Sequence, residues 1–291
     1  MKIKLRNPSR EVELVGRKRV KDVLRELDIE HPVVDLRVFK VRTFAAGVFL
    51  MTTLGFVLYG SLVLLPIMLQ TLLGYPPVQA GFAMAPRGVG SFLGMPAVGF
   101  LIAKLDSRRL VAGGLVAAGL TLIWLGHLNL TAGYWDIFWP QFFQGLALSM
   151  VFVPLTTISM DPIPKERMGN ATSIFNLMRN LGGGIGIAAT STMLSRRSQS
   201  TAAILGANVT SYNPAARSMF AATREGFIRA GSDPVTATTR AYAAIAGVVH
   251  RQATMLAFVE IFTLLGTIFV LLVPLVFIMK RPRGKAAAPA H

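Results

Sequence analysis

Residues 44–69 read FAAGVFLMTTLGFVLYGSLVLLPIML, twenty-six residues without one formal charge. A helix rises 1.5 Å per residue, so about 20 apolar residues cross the ~30 Å hydrocarbon layer of a bilayer. Five more runs of this kind follow, at 78–103, 110–130, 138–159, 169–194 and 253–279. None holds more than one charged side chain. Backbone polar groups in lipid must be satisfied within their own segment, and a run this long does so only as a helix. The predicted fold is therefore an all-α integral membrane protein with six spans.

Composition agrees. The 291 residues are 53% hydrophobic and 15% charged, with a mean hydropathy of +0.53. A soluble domain of this length seldom looks like this. There is no Cys, which removes thiolate metal sites and cysteine nucleophiles. His31, His127, His250 and His291 are too scattered to form a metal cluster. No Gly-rich phosphate loop, Ser-His-Asp set or paired carboxylates stand out, so the sequence points to no enzyme, cofactor or metal.

The net charge of +16 could suggest nucleic acid, but its placement argues against that partner. Twelve Lys and Arg fall in residues 1–43, three in 104–109, two in 160–168 and four in 280–285. The connections 70–77 and 131–137 hold none. Basic and bare connections alternate, as the positive-inside rule requires. This predicts cytoplasmic termini and an outer segment at 195–252. Within that segment Asn213-Pro214 and Asp233-Pro234 are helix starts and Gly231 is a stop, so two short helices are expected, the second ending before the last span or running into it. Tyr242, Ile245 and Val249 share one face of the second. The tail 284–291 is expected to be disordered.

Residues 1–30 differ from the rest. MKIKLRNPSREVEL (1–14) alternates about an Asn-Pro-Ser turn, as a β-hairpin does. GRKRVKDVLRELDIE (16–30) sets Val20, Val23, Leu24 and Leu27 on one helical face. Together they weakly resemble the start of a ThiS/MoaD-type β-grasp sulfur carrier, without its later strands or its terminal Gly-Gly. The alternative is a basic cytoplasmic segment at a fusion or truncation junction.

Charges inside a membrane usually face a bundle interior or a cavity. Arg87, Arg179 and Glu260 are the candidates here. Arg179 lies ten residues beyond Gly169, roughly 15 Å deep. Thr172, Asn176, Gly183 and Thr190 share its stripe, which suits a cavity wall or polar glue between helices. Gln141 and Gln144 share a face with Gly145 and could hydrogen-bond a substrate or another helix. Glu260 shares a stripe with Thr263 and Thr267. It is a candidate proton carrier or the ionic partner of Arg87 or Arg179, and Arg87 is a candidate ion-pair or gate residue. Gly90 with Gly94, and Gly182 with Gly186, have the spacing of close helix packing. Pro86, Pro140, Pro154 and Pro274 are candidate bends.

Four stretches carry a family resemblance: HPVVDLRVFKVRTF (31–44), LLPIMLQTLLGYPPVQAGFAMAPRGVG (64–90), WPQFFQGLALSMVFVPLTTISM (139–160) and ERMGNATSIFNLMRNLGGGIGIA (166–188). Taken in order, they resemble the C-terminal half of the major facilitator superfamily, in its EmrB/QacA branch of fourteen-span multidrug exporters. The resemblance runs over about 31–283. GFLIAKLDSRRL (99–110) resembles the superfamily's cytoplasmic loop motif through Gly99, Lys104, Asp106, Arg108 and Arg109. Ala103 replaces that motif's usual acid, and Asp106 its second Gly.

The resemblance implies a proton-coupled exporter of small amphipathic drugs in a bacterial inner membrane. Its substrate path would lie between two halves, only one of which is here. It also implies a missing N-terminal half as partner, with a periplasmic adaptor and an outer-membrane channel as further candidates beside membrane lipid. The alternative is a non-transporting remnant or the subunit of a split transporter.

Overall fold

The computed structural model describes residues 2–4, 11–13, 36–210 and 212–279. Two strands, β1 (Lys2–Lys4) and β2 (Glu11–Glu13), pair antiparallel with Ile3 opposite Val12. These are the two strands expected from the alternation; the Asn-Pro-Ser turn expected between them lies outside the described residues. The helix expected at 16–30 and the tail at 284–291 lie outside the described residues.

Among the described residues, all else with regular structure is helical. A 3₁₀ turn (Leu36–Lys40) leads into α1 (Arg42–Thr71), followed by α2 (Pro77–Lys104), α3 (Ser107–Leu125) and α4 (Tyr134–Met160). After a second 3₁₀ turn (Lys165–Arg167) come α5 (Met168–Ala207), α6 (Pro214–Arg229), α7 (Pro234–Leu271) and the short α8 (Val273–Ile278). Each apolar run has become helical, though α3 stops at Leu125 and the last run is shared by α7 and α8. Two helices overrun their apolar runs: α5 continues to Ala207, and α7 begins at Pro234, well before residue 253. Segment 195–252 is therefore one separate helix between two extensions of longer ones.

Four helical stretches are long and apolar enough to cross a membrane: α1, α3, α4, and α7 with α8. Helices α2 and α5 have the length but not that apolarity; they carry Arg87, Arg179 and much of the glycine. An aromatic cluster marks the start of α4. Tyr134, Trp135, Phe138 and Trp139 pack edge to face there, and the Trp124 ring at the end of α3 lies 6.5 Å from that of Phe143. Trp and Tyr collect where headgroups meet hydrocarbon, because their rings are apolar and their N–H or O–H is polar.

Helix α1 sits at the centre, against α5, α4, α7 and α2. Phe44, Leu54, Val57, Leu64 and Met68 from α1 are fully enclosed, with Phe258, Phe262 and Phe269 from α7. Lipid is as apolar as leucine, so close packing holds such helices together. Glycine allows it. A Cβ on Gly182 or Gly186 would strike the carbonyl of Thr52 or Phe56, and one on Gly55 the carbonyl of Arg179. Helices α1 and α5 thus meet backbone to backbone. The α2–α4 seam is built alike: Gly90 abuts the Phe142 carbonyl, Gly94 the Ser149 hydroxyl and Gly145 the Arg87 carbonyl. Both small-residue pairs lie in these seams. Helix hydroxyls bond back to their own turns, as Thr190 Oγ1 does to the Gly186 carbonyl at 2.8 Å.

Capping follows the predicted signals. Asn213 Oδ1 accepts from Ala215 N at 3.0 Å, and Asp233 Oδ2 from Thr236 N at 3.0 Å. Gly231, at φ +90°, closes α6: Gly231 N donates to Ile228 O and Ser232 N to Phe227 O. That is a complete Schellman stop, which a left-handed glycine makes possible. Of the candidate bends, Pro86, Pro140 and Pro154 lie inside continuous helices, whereas Pro274 opens α8 after the break at Leu272.

Candidate functional site

The Gly90–Phe142 and Gly145–Arg87 contacts draw α2 and α4 together and fix where Arg87 stands. Its side chain is half-buried and has no hydrogen-bond or ionic partner among the described residues. It lines a cavity of about 330 Å³ between α1, α2 and α4, with Leu58, Leu62, Met95, Phe152 and two serines. Ser91 Oγ donates to the Gly145 carbonyl at 3.1 Å, and Ser149 Oγ to the Leu146 carbonyl at 2.7 Å.

Arg179 stands on α5, where its carbonyl backs onto Gly55. Its Nε is buried without a hydrogen-bond partner among the described residues. The polar stripe it belongs to divides in two. Thr172 and Asn176 are exposed, and Asn176 Nδ2 donates to the Thr172 carbonyl at 3.1 Å. Gly183 and Thr190 are buried in the α1–α5 seam, Gly183 against the Tyr59 ring and Thr190 against Gly60. One end of the stripe is thus available to a cavity and the other is packing.

Glu260 pairs with neither Arg87 nor Arg179, which corrects the partner expected from depth alone. Its carboxylate meets Arg197 of α5 at 2.9 Å, both side chains about half exposed. Beside this pair Ser198 and Thr254 share a hydrogen bond at 2.7 Å. Thr263 and Thr267 bond back along α7, not to Glu260. Arg197 lies three residues past the apolar run, so a search confined to the runs misses it. Arg251 is missed for the same reason; its guanidinium donates to the Leu72 carbonyl and ties α7 to the end of α1.

Gln141 and Gln144 are both enclosed, 1% exposed each. Gln141 Nε2 donates weakly to Gln144 Oε1 at 3.4 Å, and Gln141 Oε1 is buried without a partner among the described residues. That free oxygen could accept a donor from a ligand, but only if the interior opens.

In the 99–110 motif, Gly99 and Lys104 lie exposed on α2, and Lys104 ends it. Asp106 caps α3 by accepting from Arg108 N at 3.1 Å. Arg108 is half-buried, its Nε without a hydrogen-bond partner among the described residues, and Arg109 is exposed. No group of three or more His, Cys, Asp or Glu among the described residues could hold a metal ion.

The structure thus places two guanidiniums, unpaired among the described residues, on a glycine-seamed helical bundle. The sequence profile of the Major Facilitator Superfamily matches residues 3–187. The chain belongs to the Major Facilitator Superfamily. It is 35% identical over 261 residues to the multidrug export protein EmrB of Escherichia coli K12, covering 89% of this chain and 49% of EmrB. It is 32% identical over 262 residues to the fatty acid resistance protein FarB of Neisseria gonorrhoeae, covering 88% and 49%. A colistin resistance protein EmrB of Acinetobacter baumannii is 32% identical over 158 residues, covering 54% and 31%. This superfamily chain spans about half the length of the curated relatives it matches, and it is of their EmrB type and membrane-embedded.

Proposed function

We propose that this chain works as the C-terminal, six-span half of a proton-coupled multidrug exporter in a bacterial inner membrane, with both termini cytoplasmic. The observation that carries the reading is coverage: nearly the whole chain aligns with multidrug export protein EmrB, yet fills only 49% of it. In alternating access, substrate lies between two halves that rock about it. This half would supply α1, α2, α4 and α5 as one wall, with Arg87 and Arg179 as its cationic groups. Gln141, Gln144 and Asn176 would join the wall as polar contacts. Glu260 would carry a proton by leaving Arg197 when protonated and returning when ionised. The Gly99–Arg109 loop would act as a basic turn on the cytoplasmic side.

The partners of this reading are an N-terminal half, membrane lipid, small amphipathic drugs, and an adaptor and outer-membrane channel beyond the bilayer. The sulfur-carrier reading of residues 1–30 gains no support, since the family match begins at residue 3.

The test is dye efflux from proton-energised vesicles. The chain alone is expected to export nothing, and co-expression with a complementary N-terminal half to restore export. Export by the chain alone would require a functional dimer and overturn the need for a second half. No export with any such half supports the non-transporting alternative.

A further inference from the structure

Arg87 is a cation in an apolar place with nothing to neutralise it among the described residues. No carboxylate among them lines its cavity. The one acid within the apolar runs, Glu260, is held by Arg197 on α5. The two serines that line the cavity spend their hydroxyl hydrogens on backbone carbonyls. Of the side chains that line the cavity, the guanidinium is therefore the one hydrogen-bond donor left to a ligand. Leu58, Leu62, Met95 and Phe152 supply a hydrocarbon wall beside it. A volume of about 330 Å³ falls at the small end of ligand cavities, which run to roughly 300–1,000 Å³.

A cationic ligand would meet a like charge and no acceptor that carries charge. A neutral one would leave the guanidinium unpaired, and an unpaired charge away from water is costly. An anion removes that cost. A carboxylate or phosphate also matches the planar fork of arginine, which can donate two parallel hydrogen bonds. We propose that the Arg87 cavity is a head-group site for an anionic amphiphile, with its carboxylate or phosphate on the guanidinium and its chain along Leu58, Leu62, Met95 and Phe152. The inference names a substrate class for the exporter proposed above and to that extent rests on it. Binding at this site needs no second half and no proton gradient, so it can fail or hold independently of export.

The experiment is equilibrium binding of radiolabelled laurate to the purified full chain in neutral detergent at pH 8, where the carboxylate is ionised. Unlabelled laurate should displace the label at least tenfold more potently than dodecanol or dodecyltrimethylammonium. Arg87→Gln should weaken laurate binding tenfold or more. Arg87→Lys should retain part of it, because the charge remains without the fork. Arg240→Gln, an equal loss of charge on an outer stretch of α7, should leave it unchanged. Phosphatidylglycerol that displaces laurate as well as laurate itself makes a membrane lipid the source of the anion; weak displacement makes it a free single-chain amphiphile. Leu62→Trp narrows the apolar wall without touching charge and should also weaken binding, which keeps the test valid if Arg87→Gln fails to accumulate. Laurate binding unchanged in Arg87→Gln or Leu62→Trp, or equal displacement by dodecanol, overturns the proposal.

Discussion

At the residue scale, the two arginines within the apolar runs meet different surroundings. Arg87 faces a cavity, whereas Arg179 has its Nε buried beside the α1–α5 seam. Placing an arginine in hydrocarbon costs at least about 2.5–3.5 kcal/mol on insertion scales, so both are expected to face protein or a cavity. In an assembled transporter, Arg179→Lys is expected to lose transport while the protein still inserts, since it keeps charge without the fork. Intact transport in Arg179→Leu would remove Arg179 from the site. The Arg197–Glu260 contact invites a double-mutant cycle with Arg197→Gln and Glu260→Gln. Its half-exposed partners predict a coupling of about 0.2–1 kcal/mol in thermal unfolding, as for other accessible pairs. A coupling of zero would mean the pair contributes nothing to holding α5 on α7.

At the element scale, the seams rest on particular glycines. Gly182→Ala puts a methyl onto the Thr52 carbonyl, and overpacking of this kind costs about 1–3 kcal/mol. Gly184, two residues on, faces open space, with nothing within 4 Å of where a Cβ would stand. Gly184→Ala should be neutral or gain up to about 1 kcal/mol of helix propensity. Melting of both variants in one detergent checks the contrast. The start of α7 has a pH signature. Hydrogen bonding from Thr236, then from the Val235 amide, holds the Asp233 carboxyl below its ordinary 3.8. A depressed carboxyl stabilises the fold above its unfolded pKa and ceases to as pH falls through the folded one. The melting difference between the parent and Asp233→Ala should therefore be full at pH 7 and shrink as pH drops below 3.8. A difference independent of pH would assign the effect to something other than the charged cap.

These elements also show what a single sequence reveals. The runs beginning at 44, 78, 138 and 169 became helices beginning at Arg42, Pro77, Tyr134 and Met168. Apolarity locates what lies in lipid, and helices start where caps and prolines allow. The far end of α5 was not legible that way, because a helix carries on past the hydrocarbon wherever its side chains tolerate water; the start of α7 was legible in Asp233-Pro234, but not from apolarity. The glycine pairs were legible as close-packing signals because their spacing is itself the physical requirement. The partner of Glu260 was not. Depth along a helix says nothing about which helix stands beside it, and Arg197 lies beyond the apolar run 169–194.

At the scale of the whole molecule, the charge pattern predicts which side each end faces. The native chain has no Cys, so single cysteines placed at 215, 225 and 235 are clean reporters. A membrane-impermeant thiol reagent applied from the periplasmic side should label them, and cysteines placed at 106 or 165 should react only after permeabilisation. The reverse pattern would invert the proposed topology.

The overrun of α5 and α7 has a mechanical consequence. At 40 and 38 residues these helices measure about 60 and 57 Å, against ~30 Å of hydrocarbon. Beyond the apolar runs the two are joined by the Ser198–Thr254 hydrogen bond, and α6 packs on α7 through the Phe220–Tyr242 ring contact and the Arg224–Thr238 hydrogen bond. On the proposed topology this protrusion would act not as a tether but as a lever arm, continuous with the helices it springs from. Any tilt of the bundle within the bilayer becomes a sideways sweep at its tip, larger in proportion to its reach. A neighbour resting there would be moved by the swing itself and would need no contact with the interior where the tilt began.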